Sequence, residues 1–150
     1  MAVKFDQHID IDAPADTVWA TLIDTATWPQ WLPDVEQVSN VGAVAAGGTF
    51  QFQSGGATGS GSITLVDEAN YRIKIVTQAG AVPETHTFDV DRSGGFLGMG
   101  GNDARLKYTL EYDPPGGFLS DFVVGGNPKD MLKVKHTLEK VKGLAERRGK

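Results

Sequence analysis

The chain contains no cysteine, so disulfide bonds, thiolate metal sites, iron–sulfur clusters and cysteine nucleophiles are excluded by composition. Long apolar runs are also missing, because no window approaches the roughly 18 apolar residues that a membrane-spanning helix needs. The first residues, Met1 to Asp6, lack the basic flank and apolar stretch of a secretory signal. We therefore expect a soluble, cytoplasmic protein without an integral membrane segment.

Positive charge is scarce as well. Against 19 acidic residues there are 14 lysines and arginines, which gives a formal net charge of −5. Most nucleic-acid affinity comes from neutralising phosphates with basic side chains, so no nucleic-acid partner is expected. Basic residues do gather near the C-terminus, at Lys140, Lys142, Arg147, Arg148 and Lys150. A solvated helix end whose cations complement the helix dipole explains them better than an anionic ligand does.

The chain also lacks internal repeats and any long linker, and its 150 residues match the usual size of one domain. The N-terminal elements follow from hydrophobic periodicity. Residues 3 to 11 alternate apolar and polar side chains, which predicts a strand with one buried face. Apolar residues at helical spacing predict a short helix over Pro14–Ile23, and the prolines of Thr27–Pro33 permit only a single helical turn near Pro29.

The rest of the chain reads as a strand meander followed by one long helix. Alternating segments separated by turn residues predict six strands, at Val35–Val41, Gly48–Gln53, Gly61–Asp67, Tyr71–Gln78, Glu84–Asp91 and Ala104–Tyr112. Ser54–Ser60 and Arg92–Asp103 are predicted to be longer, glycine-rich connections. After Asn127-Pro128, an apolar stripe predicts a long amphipathic helix, with the residues Met131, Val134, Leu138, Val141 and Ala145.

Several motifs resemble one known superfamily. The segment from Ile9 to Trp19 looks like the "I-x-A-P-x-x-x-V-W" opening of the polyketide cyclase/dehydrase branch of the START-like, birch-pollen-allergen-like (SRPBCC) superfamily. Asp24, Trp28, Trp31 and Pro33 resemble its "D…W-x-x-W-x-P" continuation, and Leu138 to Glu146 its usual ending. The resemblance implies an α+β helix-grip fold over residues 1–150: a curved, seven-stranded antiparallel sheet with two short helices and a long C-terminal helix.

Strand alternation also predicts which side chains face that helix. The predicted concave set is Phe50, Phe52, Ile63, Leu65, Tyr71, Ile73, Ile75, Thr77, Glu84, His86, Phe88, Val90, Ala104, Leu106, Tyr108, Leu110 and Tyr112. The resemblance implies an open cavity between this face and the helix residues Met131, Val134 and Leu138. The alternative is that sheet and helix pack solidly, as such layers normally do.

His86 is the polar residue of this set whose role matters most. A neutral imidazole can hydrogen-bond a ligand in either tautomer, but an inward histidine is also often a satisfied core group. Glu84 and Tyr108 share its face, so a His–Glu–Tyr cluster capable of acid–base chemistry is geometrically possible. His8 and His136 point elsewhere, and no metal or other cofactor is predicted.

Trp31 is predicted either to stack on a ligand or to anchor its short helix, whereas Trp19 is predicted to be core. The segment Arg92–Asn102 carries Phe96, Leu97 and Met99 among glycines. We interpret it as a flexible gate opposed by Phe118–Val124, with an exposed interaction patch and a disordered loop as the alternatives.

The leading hypothesis is a non-enzymatic binding or carrier protein for a small apolar molecule, such as a lipid, isoprenoid quinone or polyketide-like aromatic. The predicted contacts are Trp31, Phe50, Phe52, Ile63, Ile75, His86, Phe88, Phe96, Tyr108, Leu110, Met131, Val134 and Leu138. One alternative is a cyclase or dehydratase in which His86 is the acid/base with Glu84 or Tyr108 as its partner. Another is an interaction module that uses the Phe96–Met99 loop.

Overall fold

A computed structural model describes residues 3–80, 82–91, 103–113 and 128–148 of the chain. They form one seven-stranded antiparallel sheet in the order β1-β7-β6-β5-β4-β3-β2, which confirms the predicted fold class. The strands are β1 (Val3–Ile11), β2 (Gln37–Ser39), β3 (Thr49–Ser54), β4 (Ala57–Asp67), β5 (Arg72–Gln78), β6 (Glu84–Asp91) and β7 (Ala104–Tyr112). The predicted Phe96–Met99 gate and its partner Phe118–Val124 lie outside the described residues.

The described residues also form three α-helices, α1 (Ala15–Leu22), α2 (Trp28–Trp31) and α3 (Pro128–Arg148), and a 3₁₀ turn at Thr25–Thr27 ahead of α2. The sequence prediction placed α3 correctly and missed the 3₁₀ turn. Among the described residues, no helix is both long enough and apolar enough to cross a membrane.

Helix α3 packs along β1, β7, α1 and α2. Its predicted stripe is buried at Val134, Leu138, Val141 and Ala145, while Met131 is only half-buried. Each large apolar side chain removed from water in this way stabilises the fold by about 1.5–3 kcal/mol. The helix and the inner face of the sheet therefore share one core.

The predicted inner face is correct for most strands and wrong at Leu65. A bulge shifts the register of β4 between Ile63 and Leu65, so that Leu65 lies opposite Lys74 and Val66 lies opposite Ile73. Because one extra residue moves every following side chain to the other face, Val66 packs against the core in its place.

The predicted long connection at Ser54–Ser60 is also wrong. Strand β4 begins at Ala57, and a two-residue turn at Gly55 and Gly56 joins it to β3. Both glycines have positive φ, 56° and 87°, which suits a tight hairpin between twisted strands. Strand β2 (Gln37–Ser39) is shorter than the predicted Val35–Val41. Val35 is instead buried in a turn, where its backbone N–H donates to the carbonyl of Leu32.

Two tryptophans fix the short helix α2 to its neighbours. The indole N–H of Trp28 donates to the carbonyl of Leu22 at 2.8 Å, and that of Trp31 donates to the Thr27 hydroxyl at 2.9 Å. Both side chains are almost fully buried, and the Thr137 hydroxyl of α3 donates to the Trp31 carbonyl at 2.9 Å. These contacts anchor α2, one of the two roles weighed for Trp31, and stacking on a ligand stays a prediction.

Candidate functional site

A row of three polar side chains crosses the otherwise apolar inner face of the sheet. His86 on β6 lies between Thr77 on β5 and Tyr108 on β7, and its side chain is 0% exposed. Its Nε2 is 2.8 Å from the Thr77 hydroxyl and its Nδ1 is 2.6 Å from the Tyr108 hydroxyl. Both ring nitrogens therefore have a partner, and we call these three residues the polar trio.

The polar trio is electrically neutral. Burial, and to a lesser degree the positive charge of Lys133, lowers the pKa of His86 from 6.5 to about 3. One nitrogen of the neutral ring must donate while the other accepts, so the hydroxyls of Thr77 and Tyr108 take opposite roles. The same geometry serves both tautomers if the two hydroxyls rotate together.

Aromatic rings surround the polar trio. The ring of Phe88 stacks on Tyr108 with centroids 4.4 Å apart, and Trp31 meets Phe88 edge to face at 5.2 Å. Further along the sheet, Phe50 packs against Trp28 at 5.0 Å. This shell excludes water, which explains why the imidazole stays uncharged.

Charged residues lie where the row reaches the edge of the core. Glu84 Oε1 is 4.0 Å from His86 Nε2, and Glu84 Oε2 is 3.5 Å from Lys133 Nζ of α3. The same ammonium group is 3.1 Å from Asp34 Oδ2. A cleft of about 170 Å³ opens beside them and is lined by Asp34, Phe52, Thr77 and Glu84, among others. Thr77, one member of the polar trio, thus borders this cleft.

The structure brings His86 and Tyr108 into direct contact and leaves Glu84 at the rim. Most of the other predicted contact residues are buried in the shared core, namely Trp31, Phe50, Phe52, Ile63, Ile75, Phe88, Leu110, Val134 and Leu138. Phe96 lies outside the described residues. In this state the rings fill much of the inner space, so the large open cavity that the family resemblance implied stays a prediction.

Sequence reasoning left three residues of this region out of the candidate site. Thr77 was placed on the correct face, but its contact with His86 depends on the register in which Ile75 lies opposite His86. Lys133 and Asp34 are 99 positions apart and meet through the packing of α3. Asp34 has a φ of 63°, a left-handed conformation that no motif in the sequence indicates.

Histidines and acids do not converge elsewhere in the part of the chain that the structure describes, where no group of three or more could hold a metal ion. The buried row at Thr77, His86 and Tyr108 is the candidate site. It offers hydrogen bonds within an apolar environment, the combination that orients a small organic molecule.

Comparison with known proteins agrees with this architecture. The family described as "Polyketide cyclase / dehydrase and lipid transport" matches residues 2–146. No curated protein matches the chain. Among solved structures, the Zhui aromatase/cyclase from Streptomyces sp. R1128 has a TM-score of 0.73 at 19% identity, covering 100% of this chain and 97% of that one.

Two further structures are similar over nearly their full lengths. A point mutant of norcoclaurine synthase from Thalictrum flavum, in complex with a transition-state analogue, has a TM-score of 0.71 at 15% identity, covering 100% of this chain and 98% of that one. Ara h 8.0201 has a TM-score of 0.69 at 13% identity, covering 97% and 98%. At these identities the likeness shows a shared fold.

Proposed function

The chain belongs to the polyketide cyclase/dehydrase and lipid transport family, and we propose that it binds a small apolar molecule between the inner face of its sheet and α3. A polar group of that molecule, such as a hydroxyl or carbonyl, is held by the polar trio. The observation that carries this proposal is the cleft beside Thr77, where the hydrogen-bonded row meets open space. Affinity comes mainly from apolar burial, at about 25 cal/mol per Å².

The state of His86 favours binding over catalysis. With a pKa of about 3 the imidazole is neutral at pH 7, and its conjugate acid is far too strong for efficient general acid–base work near neutrality. A neutral imidazole held between two hydroxyls is well suited to orienting a ligand. Through His86, the hydrogen bonds of the polar trio extend from Tyr108 to Thr77 without placing a charge in the core.

A second candidate is an enzyme of the cyclase or dehydratase type. Its support is the 2.6 Å contact between His86 and Tyr108, which couples a phenol to a base, together with the fact that two of the similar structures are an aromatase/cyclase and a norcoclaurine synthase. Glu84, 4.0 Å from His86, is the partner on the other side. The third hypothesis, an interaction module at Phe96–Met99, stays a prediction for residues that the structure does not describe.

The first experiment is native mass spectrometry of the protein purified from its own host, followed by extraction of any bound molecule. A discrete apolar adduct supports the binding proposal and identifies the ligand class. An empty protein whose melting temperature is unchanged by lipids, quinones and aromatic polyketides contradicts it.

The variant Thr77→Val then tests the polar contact, with Thr87→Val as its matched control on the outer face of the sheet. Loss of one hydrogen bond to the ligand predicts about fivefold weaker binding for Thr77→Val, since such a bond contributes about 1 kcal/mol, and no change for Thr87→Val.

The variant His86→Gln separates the two candidate functions. A carrier still binds with moderately reduced affinity, whereas an enzyme binds its substrate and loses turnover.

A further inference from the structure

The hydrogen bonds of the polar trio have a direction, which their lengths indicate. The Tyr108 hydroxyl lies 2.6 Å from His86 Nδ1. Hydroxyl groups typically donate over about 2.5–3.0 Å, whereas hydrogen bonds from an N–H to an oxygen centre at about 2.9–3.0 Å. The short contact therefore favours a phenol that donates its proton to Nδ1 over a ring N–H that donates to the phenol.

This direction fixes the tautomer of the imidazole. Because Nδ1 accepts, the single proton of the neutral ring is on Nε2, and the Nε2–H donates to the Thr77 oxygen 2.8 Å away. The carboxylate of Glu84 acts in the same sense, since its Oε1 lies 4.0 Å from Nε2 and attracts the positive end of an N–H. Lys133, 3.5 Å from the other Glu84 oxygen, offsets part of that attraction. The hydrogen bonds thus run from Tyr108 through His86 to Thr77.

Thr77 is left with a proton to donate. Its oxygen accepts from Nε2, but a hydroxyl also carries one O–H of its own. Within the described part of the chain, this hydroxyl forms no hydrogen bond other than the one with the His86 ring. Its neighbour on β4 is Gly61, which has no side chain, and its neighbour on β6 is Glu84, which pairs with Lys133. Thr77 is only 4% exposed, and it lines the cleft of about 170 Å³, so a ligand in that cleft can supply the acceptor.

The charges beside the cleft restrict which ligand group fits there. Its lining includes Asp34 and Glu84, and both carboxylates pair with the same ammonium group, that of Lys133. Two negative charges against one positive charge leave the mouth negative, so an anionic head is repelled. A ligand donor, such as an amine, would compete with Lys133 for these carboxylates and would leave the Thr77 proton unbonded.

We propose that the cleft beside Thr77 selects ligands with a neutral hydrogen-bond acceptor, namely a ketone, aldehyde or quinone carbonyl, and that the Thr77 hydroxyl donates to its oxygen. This inference rests on the proposed function and narrows the ligand's polar group to one chemical class. No proton is transferred, because each group of the row keeps its own. Thr77 determines the specificity, and Tyr108 and His86 position its proton.

The direction of the row is tested without a ligand. Long-range proton–nitrogen correlation spectra of the isotope-labelled full chain at pH 7 distinguish a protonated imidazole nitrogen from an unprotonated one. The signals of His86 are identified by their loss in His86→Gln. We expect a protonated Nε2 and an unprotonated Nδ1. A protonated Nδ1 overturns the proposal, because Thr77 would then donate to the ring and offer a ligand only a lone pair.

The preference for a carbonyl is tested with four bicyclic probes, which are compact because the cleft is small. They are indan-1-one as the acceptor, indole as the N–H donor, indane without a polar group, and indane-1-carboxylate as the anion. Amide NMR titrations of the full chain locate each probe and measure its affinity. We expect the shifts to centre on β5 and β6 around Thr77, and the anion to bind more weakly than indan-1-one.

The three neutral probes are then compared between proteins, which cancels their different hydration in water. Thr77→Val should weaken the binding of indan-1-one about fivefold, the effect of losing one hydrogen bond, and should change the affinities of indane and indole by less than about twofold. Thr77→Ser keeps the hydroxyl, so it should retain the affinity for indan-1-one within about twofold. The binding of indane reports whether Thr77→Val keeps its fold and cleft.

The outcomes separate this inference from the proposed function. If indan-1-one binds at Thr77 but Thr77→Val leaves its affinity unchanged, or weakens indane equally, the carbonyl preference is wrong and the proposed function stands. Tighter binding of the anion than of indan-1-one has the same meaning. If none of the four probes binds near β5 and β6, the proposed function fails and this inference fails with it. The tautomer measurement needs no change at Thr77, so it decides the direction of the row even where Thr77→Val does not fold.

Discussion

Removing the Tyr108 hydroxyl tests whether the polar trio is the satisfied, water-free row that the structure describes. The variant Tyr108→Phe keeps the ring that stacks on Phe88 at 4.4 Å and deletes only the oxygen that lies 2.6 Å from His86 Nδ1. His86 is 0% exposed, so no water replaces the lost partner without opening the core. A buried polar atom left unpaired costs about 1–3 kcal/mol, and we expect a loss in this range.

Urea denaturation measures that loss as a shift of the midpoint with an unchanged slope. For a chain of this length the same change lowers the melting temperature by about 2–12 °C. The matched control is Tyr71→Phe, because Tyr71 also stacks on an aromatic ring, that of Trp19, but its hydroxyl pairs with Asp16 at an exposed site. There the expected loss is below about 1 kcal/mol. Equal losses in the two variants would refute the argument that His86 depends on Tyr108.

Two other predictions concern stability. Folding lowers the pKa of His86 from 6.5 to about 3, so between these values the unfolded chain binds more protons and the folded state loses stability as the pH falls. Urea titrations from pH 7 to 4.5 measure the free energy of unfolding of the wild type and of a His86→Gln variant. The wild-type value should fall more steeply with falling pH, by an extra amount approaching 1.4 kcal/mol per pH unit, and identical slopes in the two proteins would contradict this prediction. Gly61→Ala would place a methyl group 2.1 Å from the ring of Phe50 and should cost about 1–3 kcal/mol by overpacking. The same substitution at Gly80, where a Cβ meets nothing within 4 Å, should be nearly neutral by thermal unfolding.

Much of the fold is readable from local patterns. The ranges of β1, β6 and β7 agree with the predicted ones because clean alternation marks each strand, and Pro128 marks the start of α3. The prediction failed where glycine was read only as a loop signal. Gly59 was placed in a connection but belongs to β4, as does Gly61, the predicted first residue of that strand. The missing side chains of these two glycines give room to the rings of Phe52 and Phe50 on the neighbouring strand. Contacts between strands decide this, and they do not appear in a window of a few residues.

The candidate site, too, could be predicted only in part from the sequence. Parity was enough to place His86 and Tyr108 on the inner face, since alternate residues of a strand share a side. It did not distinguish a hydrogen-bonded His86 from one merely nearby, nor did it find the ion pair between Asp34 and Lys133. Those depend on the register of β5 against β6 and on where α3 crosses the segment after α2.

The α+β class, the inward and outward faces of most strands, the family resemblance and the absence of thiol chemistry could all be predicted without a structure. Each of these depends on residue type and short-range spacing, which composition and periodicity carry directly. It took the folded chain to show that His86 is neutral and has a partner at each ring nitrogen, that Asp34 pairs with Lys133, and that Thr77 borders a cleft. The pKa of a group and its freedom to bind a ligand depend on burial and on partners distant in sequence, and folding alone brings these together.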